Sequence, residues 1–218
     1  MCEGGARAPL VVVIAGEGEG EDPDPQAAVG CHVLTVGVGD WYASLSPWPA
    51  PSAWPRDPRV PAFAGGAPQT LEGLVARIFE VEEAHGLAPT ARAIEGYSLG
   101  GLFSTYAHVL HPEIFLASAS GSGSYWYQGW VDWLHEGFGQ RDLAGHLFAF
   151  SLGSKESHVR NPTMAQVREG TRRTREELAS HHALTTFSPE PGGHFTDVAG
   201  RQERLLGQLA AWLTVRER

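Results

Sequence analysis

Ser98 stands between two glycines in the stretch IEGYSLGGLF, residues 94–103, where an apolar run ends and helical spacing begins at once. A serine hydroxyl is a weak nucleophile until a neighbouring base removes its proton. The run Gly96-Tyr97-Ser98-Leu99-Gly100 at a strand-to-helix junction has the pattern of a nucleophile elbow. In that turn a strained backbone lifts the hydroxyl above the carboxyl end of a strand, and the flanking glycines let strand and helix approach closely. A tight turn that uses glycine only for packing is the competing reading. The apolar strand pattern before Ser98 and the helical pattern after it favour the elbow.

A base must lie close to that hydroxyl. Of the ten histidines, His194 in EPGGHFTD is the best placed, because a Gly-rich loop after the last strand can carry its ring over the sheet end. A loop histidine that caps local carbonyls is the competing reading. The other histidines have structural explanations: His108, His111, His181 and His182 lie near helix C-termini, where a cation is favourable, and His32 and His146 open strands. The third group should be a carboxylate that holds the imidazole in its working tautomer. After the penultimate strand, FSLGSKESHVRN offers Glu156, which could instead be a solvated acid neutralised by Lys155 or Arg160. Asp197 is a rival, and its closeness to His194 marks it as a local turn partner. Negative charge on a carbonyl oxygen would need preorganised N–H donors. These are expected from the backbone of Leu99, at a helix N-terminus, and of Glu17 in the loop IAGEG.

The elements that must position these groups alternate. Residues 10–15, 32–38, 91–97, 114–120, 146–153 and 183–190 read as strands, the first two as short β-branched runs suited to burial on both faces. Between them, Leu71, Leu74, Val75, Ile78 and Phe79 have helical spacing up to Gly86, and Leu102, Phe103, Tyr106, Ala107 and Leu110 continue it after Ser98 until Pro112. Asn161 and Pro162 are the N-cap and first residue of another helix, and Leu205, Leu206, Leu209, Trp212 and Leu213 share one face of the last. Six strands with helices between them predict an α/β fold, a mostly parallel sheet covered on both faces, in one domain over residues 1–218. The acidic stretch 16–30 and the proline-rich stretch 40–68 are long loops beyond the ends of the first two strands, a usual place for function.

Composition narrows the partners. The formal net charge is −9 with no basic block to neutralise phosphates, which argues against nucleic acid and anionic membrane surfaces and for a small molecule. Cys2 and Cys31 form no disulfide framework and have no metal-ligand spacing, so no metal is expected. No export signal or membrane span is evident, which makes the cytoplasm the expected compartment.

The blocks VVVIAGEG, LSPWPAP, IEGYSLGGLFSTYA, SASGSGSYW, SLGSKESHVRNPTM and PGGHFTD cover nearly the whole chain. In that order they resemble the esterase-D-like branch of the α/β-hydrolase superfamily, a group that includes trilactone siderophore esterases and mycolyltransferases. The resemblance implies an α/β-hydrolase fold and an acyl-serine intermediate, with Ser98 as nucleophile, His194 as base and Glu156 at the position of the acid, and no metal or organic cofactor. That branch carries two antiparallel strands ahead of VVVIAG, so either a sheet lacking the usual first strands is expected or the start codon lies upstream. Esterase-D cleaves a thioester, which keeps thioester cleavage open beside ester hydrolysis. Acyl transfer on the same site and a hydrolase-fold binding protein without activity stay open as well. Aromatic residues 125–133 are expected to form a short cap within about residues 121–140. Trp126 and Trp130 from the cap, with Trp41 and Tyr97, are the expected contacts to a small-molecule ester, and Arg160 at the rim could meet an anionic one. Packing of the aromatics onto the domain competes with that reading. The oligomeric state is not readable from the sequence.

Overall fold

The computed structural model describes residues 5–16, 23–57, 59–137 and 141–216. The β-branched run becomes strand β1, Leu10–Gly16, buried at every position but the last. It is followed by β2, His32–Val38, and by helix α1, Trp41–Ser44, whose N-cap Asp40 accepts a hydrogen bond from the Ala43 amide. Two short strands, β3 at Pro49–Ala50 and β4 at Phe63–Ala64, pair antiparallel inside the proline-rich segment. Helix α2 spans Ala67–His85 and stops at Gly86, whose φ of 63° suits a residue without Cβ. Strand β5, Arg92–Tyr97, leads through Ser98 into α3, Leu99–Leu110. The remainder runs β6 (Ala117–Gly121), α4 (Trp130–Gly137), β7 (Leu147–Gly153), α5 (Val167–Ser180), β8 (Leu184–Glu190) and α6 (Val198–Val215).

The main sheet has the order β2-β1-β5-β6-β7-β8, and every neighbouring pair is parallel. The chain moves outward from β1 to β2, then crosses back to β5 on the other side of β1. Such a reversal leaves a crevice at the carboxyl ends of the strands between the two directions, and Ser98 follows β5 directly into it. One sheet face packs Leu10, Val12, Ile14, Ile94, Phe148 and Phe150 against α2 and α3. The other presents Val11, Val13 and the small Ala93, Ala117, Ala119 and Ala149 to Leu205, Leu206, Leu209 and Leu213 of α6. No helix of the described residues is long and apolar enough to cross a membrane.

Several elements depart from the sequence reading. β2 lies at the sheet edge, with Thr35 and Gly37 exposed, so it is not buried on both faces. Its Leu34 and Val36 pack on one core cluster and Val33 on the other, each only partly buried. Asn161 caps a short 3-10 turn at Met164–Gln166, its Oδ1 accepting from the amides of Thr163 and Met164, and the α-helix starts only at Val167. His108 is no helix-end cation. It is wholly buried, stacked 4.0 Å from Phe148, with Nδ1 3.0 Å from Ser118 Oγ and Nε2 3.0 Å from His146 Nδ1. Burial and the adjacent His146 push its imidazole well below the ordinary histidine range, which keeps it neutral.

Glu95 is an acid in the middle of a core strand, paired in register with Val13 of β1 and Ala119 of β6. It is wholly buried, and among the described residues neither carboxyl oxygen has a hydrogen-bond partner. Burial pushes the carboxyl well above the ordinary carboxylate range. The folded chain therefore holds a proton that the unfolded chain releases above about pH 4.3. The stability linked to that proton is fully present below this pH and is lost as pH rises toward the folded pKa. Glu95→Gln has no charge to bury, so its melting temperature should match wild type in acid and exceed it by a widening margin toward neutral pH. Thermal unfolding across that range checks this, and a constant margin would refute it.

Candidate active site

Ser98 has φ 57° and ψ −120°, a conformation that costs a non-glycine residue on the order of 1–3 kcal/mol and persists only where its surroundings impose it. Three backbone bonds do so: the Ser98 amide donates to Gly121 O at 2.8 Å, and Ser98 O accepts from Ser124 N at 3.0 Å and from Leu102 N at 3.1 Å. The glycines around it are required by close approach. A Cβ on Gly96 would stand 2.5 Å from Gly100 O, and one on Gly101 would stand 2.6 Å from Ser120 Oγ.

The hydroxyl so presented meets the imidazole of His194, with Ser98 Oγ 3.1 Å from Nε2. On the opposite side of the ring, Nδ1 lies 2.8 Å from Glu156 Oε2. A carboxylate can only accept, so Nδ1 carries the proton and Nε2 is left as the acceptor facing Ser98. Glu156 is 4% exposed. Its other oxygen accepts from Ser122 Oγ at 2.6 Å, the Gly153 amide at 2.7 Å and Arg201 Nη1 at 3.2 Å. Burial pushes this carboxyl up, but the hydrogen bonds from His194, Ser122 and Gly153 outweigh it and hold the group below its ordinary value, ionised. A solvated loop acid does not describe this residue.

The loop that carries His194 is tied down on several sides. Tyr97 OH donates to His194 O at 2.6 Å, Arg201 Nη2 donates to Pro191 O at 2.6 Å and Gly193 O at 3.0 Å, and the Lys155 amide donates to Gly192 O at 2.9 Å. Asp197, the rival acid, starts α6 and accepts from Arg204 at 3.0 Å, away from the imidazole.

The remaining expected site residues separate into two groups. Leu99 opens α3, where the first amides have no intrahelical acceptor, and Trp41 packs against Gly100 of the elbow, its ring 3.0 Å from where a Cβ would be. Glu17 lies outside the described residues. Tyr97 and Trp130 are both buried: Tyr97 supports the His194 loop from below, and Trp130, whose Nε1 donates to Thr174 Oγ1 of α5 at 3.0 Å, borders a cavity with Trp126 and Gln166 whose lining includes neither Ser98 nor His194. Trp126 packs on Trp54 and Phe63, joining the expected cap to the proline-rich segment. Arg160 is exposed beside Asn161, whose Nδ2 donates to Ala53 O at 2.7 Å.

Ser122, Arg201 and Phe195 touch the Ser98–His194–Glu156 group although the sequence reading singles out none of them; Ser122 and Phe195 lie inside the blocks SASGSGSYW and PGGHFTD. Arg201 carries a faint signal: it lies four residues before Leu205, on the apolar stripe of α6, where a charge needs a buried partner. Phe195 is 90% exposed directly after His194, with its ring edge-on to the imidazole at 5.0 Å. Among the described residues, no cluster of histidine, cysteine or carboxylate side chains is arranged to hold a metal ion.

No protein-family model matches the chain. The uncharacterized protein YbbA of Bacillus subtilis is 29% identical over 136 residues, which span 61% of this chain and about half, 52%, of that protein. Among solved structures, the siderophore hydrolases EstB and EstA of Aspergillus nidulans are similar to it with TM-scores of 0.66 and 0.67 at 18% identity. The alignments cover 94% and 97% of this chain and 82% and 84% of theirs. An IroE-like serine hydrolase from Shewanella oneidensis has a TM-score of 0.66 at 15% identity, over 94% of this chain and 71% of its own. At these identities the likeness is one of fold, and the fold is that of the α/β-hydrolases, as the sequence blocks implied.

Within that fold the glycine frame has no slack. Gly96→Ala would press a methyl group into the Gly100 carbonyl. It is expected to lower unfolding stability by roughly 1–3 kcal/mol, the usual cost of overpacking. Denaturant unfolding measures it, and a neutral result would contradict the close approach.

Proposed function

We propose that this protein is a serine carboxylic-ester hydrolase acting on a small-molecule ester through an acyl-serine intermediate. The observation that carries the reading is one imidazole bonded on its two nitrogens to a hydroxyl on a strained turn and to a buried carboxylate. As Ser98 Oγ attacks the ester carbon, its proton passes to His194 Nε2. The imidazolium then gives that proton to the departing alkoxide as the carbon–oxygen bond breaks. Glu156, ionised and bonded to Nδ1, stabilises the imidazolium while it exists. Water, deprotonated by His194 in turn, attacks the acyl carbon, and the imidazolium returns that proton to Ser98 Oγ as the acyl bond breaks and the carboxylic acid leaves. In this reading the tetrahedral oxyanion takes a hydrogen bond from the amide of Leu99 at the start of α3. The names of the fold neighbours, two siderophore hydrolases and a serine hydrolase, support the same chemistry.

The mouth of the site favours an ester with an apolar group. Phe79 and Phe187, the other exposed phenylalanines among the described residues, each have an arginine over the ring, Arg92 at 5.1 Å and Arg175 at 4.8 Å. Phe195 has no such cover among the described residues, and an apolar or aromatic substrate group would remove its ring from water.

Two measurements test the reading. Ser98→Ala should fold normally and lose hydrolysis of p-nitrophenyl acetate by on the order of 10⁴-fold or more, together with labelling by a fluorophosphonate probe. A variant that keeps the wild-type rate, or wild-type protein that takes no label, would refute it. Phe195→Ala should raise KM for aryl esters by about tenfold or less, in line with the roughly 0.5–1.5 kcal/mol of an aromatic pair, and leave a small aliphatic ester such as methyl acetate unchanged. An equal effect on both esters would count against the apolar mouth.

A further inference from the structure

Arg201 is wholly buried, and among the described residues its Nε has no hydrogen-bond partner. Removing a guanidinium from water is costly unless its charge and its N–H groups are met. Both ends of the fork are in fact committed to the neighbourhood of His194. Nη1 reaches Glu156 Oε1 at 3.2 Å, Tyr97 OH at 3.1 Å and Ser122 Oγ at 3.2 Å, while Nη2 bonds the carbonyls of Pro191 and Gly193. One planar group thus joins α6 to the acid, to the tyrosine under the imidazole and to the loop that carries it.

We propose that Arg201 is a positioning residue for the ester hydrolysis assigned to Ser98, aligning the His194 loop and offsetting part of the Glu156 charge so that the imidazole stays in its neutral, proton-accepting form. The proposal rests on that assignment. Its two parts have separate physical causes. Alignment comes from geometry: a planar fork can clip two carbonyls while holding a carboxylate, and a lysine ammonium on its flexible stem cannot. The charge effect comes from proximity. Glu156 alone would favour the imidazolium in the resting protein, and a second cation on the same carboxylate opposes it. The titratable groups around this centre are Tyr97 from β5, Glu156 from the loop after β7 and His194 from the loop after β8. Glu190, Asp197 and Arg204 lie next to it but are bound to one another. Lys155, beside Glu156 in the chain, is exposed.

The test is the pH profile of kcat/KM for p-nitrophenyl acetate in wild type, Arg201→Met, Arg201→Gln and Arg201→Lys, each checked for folding by circular dichroism. The two neutral variants should move the acid limb up by about one pH unit, as loss of a nearby cation raises a histidine pKa. Arg201→Lys keeps the charge. It should leave the limb in place and lower kcat by about a hundredfold at unchanged KM, the size of effect that a small misalignment causes. A neutral variant that melts earlier but keeps the wild-type limb would show a merely structural arginine and overturn the charge effect. Wild-type kcat in Arg201→Lys would overturn the alignment, and this arm decides alone if both neutral variants fail to fold. Fluorophosphonate labelling of wild type separates the two readings: without label the hydrolase assignment itself fails, and with label only the role of Arg201 is at stake.

Discussion

One carboxylate organises the end of the molecule that carries Ser98. Glu156 takes hydrogen bonds from the His194 imidazole, the Ser122 hydroxyl, the Gly153 amide and the Arg201 guanidinium, which come from the loop after β8, the loop after β6, the end of β7 and α6. An anion this deeply buried costs several kcal/mol if its donors are withdrawn. Each of those segments is therefore held where the carboxylate needs it. The arrangement that satisfies Glu156 is also the one that turns Nε2 of His194 toward Ser98.

The sheet makes that convergence possible. All of its strands run parallel, so the loops after β5, β6, β7 and β8 emerge at the same end. Ser98, Ser122, Glu156 and His194 follow those four strands in turn. The small residues of β6, Ala117–Gly121, and the glycines at 96, 100 and 101 let α3 approach the sheet closely enough for the Ser98 turn to be pinned by Gly121 and Ser124. Strain at Ser98 and close packing beside it are two sides of one arrangement.

The parts legible in the sequence are those governed by local rules. Gly-x-Ser-x-Gly between a strand and a helix requires a special backbone, and Ser98 has it. His194 and Glu156 could be placed because parallel topology fixes which loops meet. The residues that local pattern misplaces or passes over depend on long-range contacts. Trp130 and Trp126 read equally well as pocket wall or core, since aromatic rings suit both, and only their partners, Thr174 for one and Trp54 with Phe63 for the other, decide it. Arg201 is hidden because helical periodicity registers the leucines around it and not an acid 45 residues away. The β3–β4 pair is invisible because two-residue strands carry no periodicity at all.

The braces between distant segments bear on rigidity. Trp48 Nε1 donates to Gln128 O at 2.9 Å, Tyr127 OH donates to Trp48 O, and Asn161 ties the segment after β7 to Ala53. Side chains from one segment are thus fastened to the main chain of another. Fastenings of this kind oppose hinged movement of these segments against one another, so the chain around them keeps the shape in which it folds.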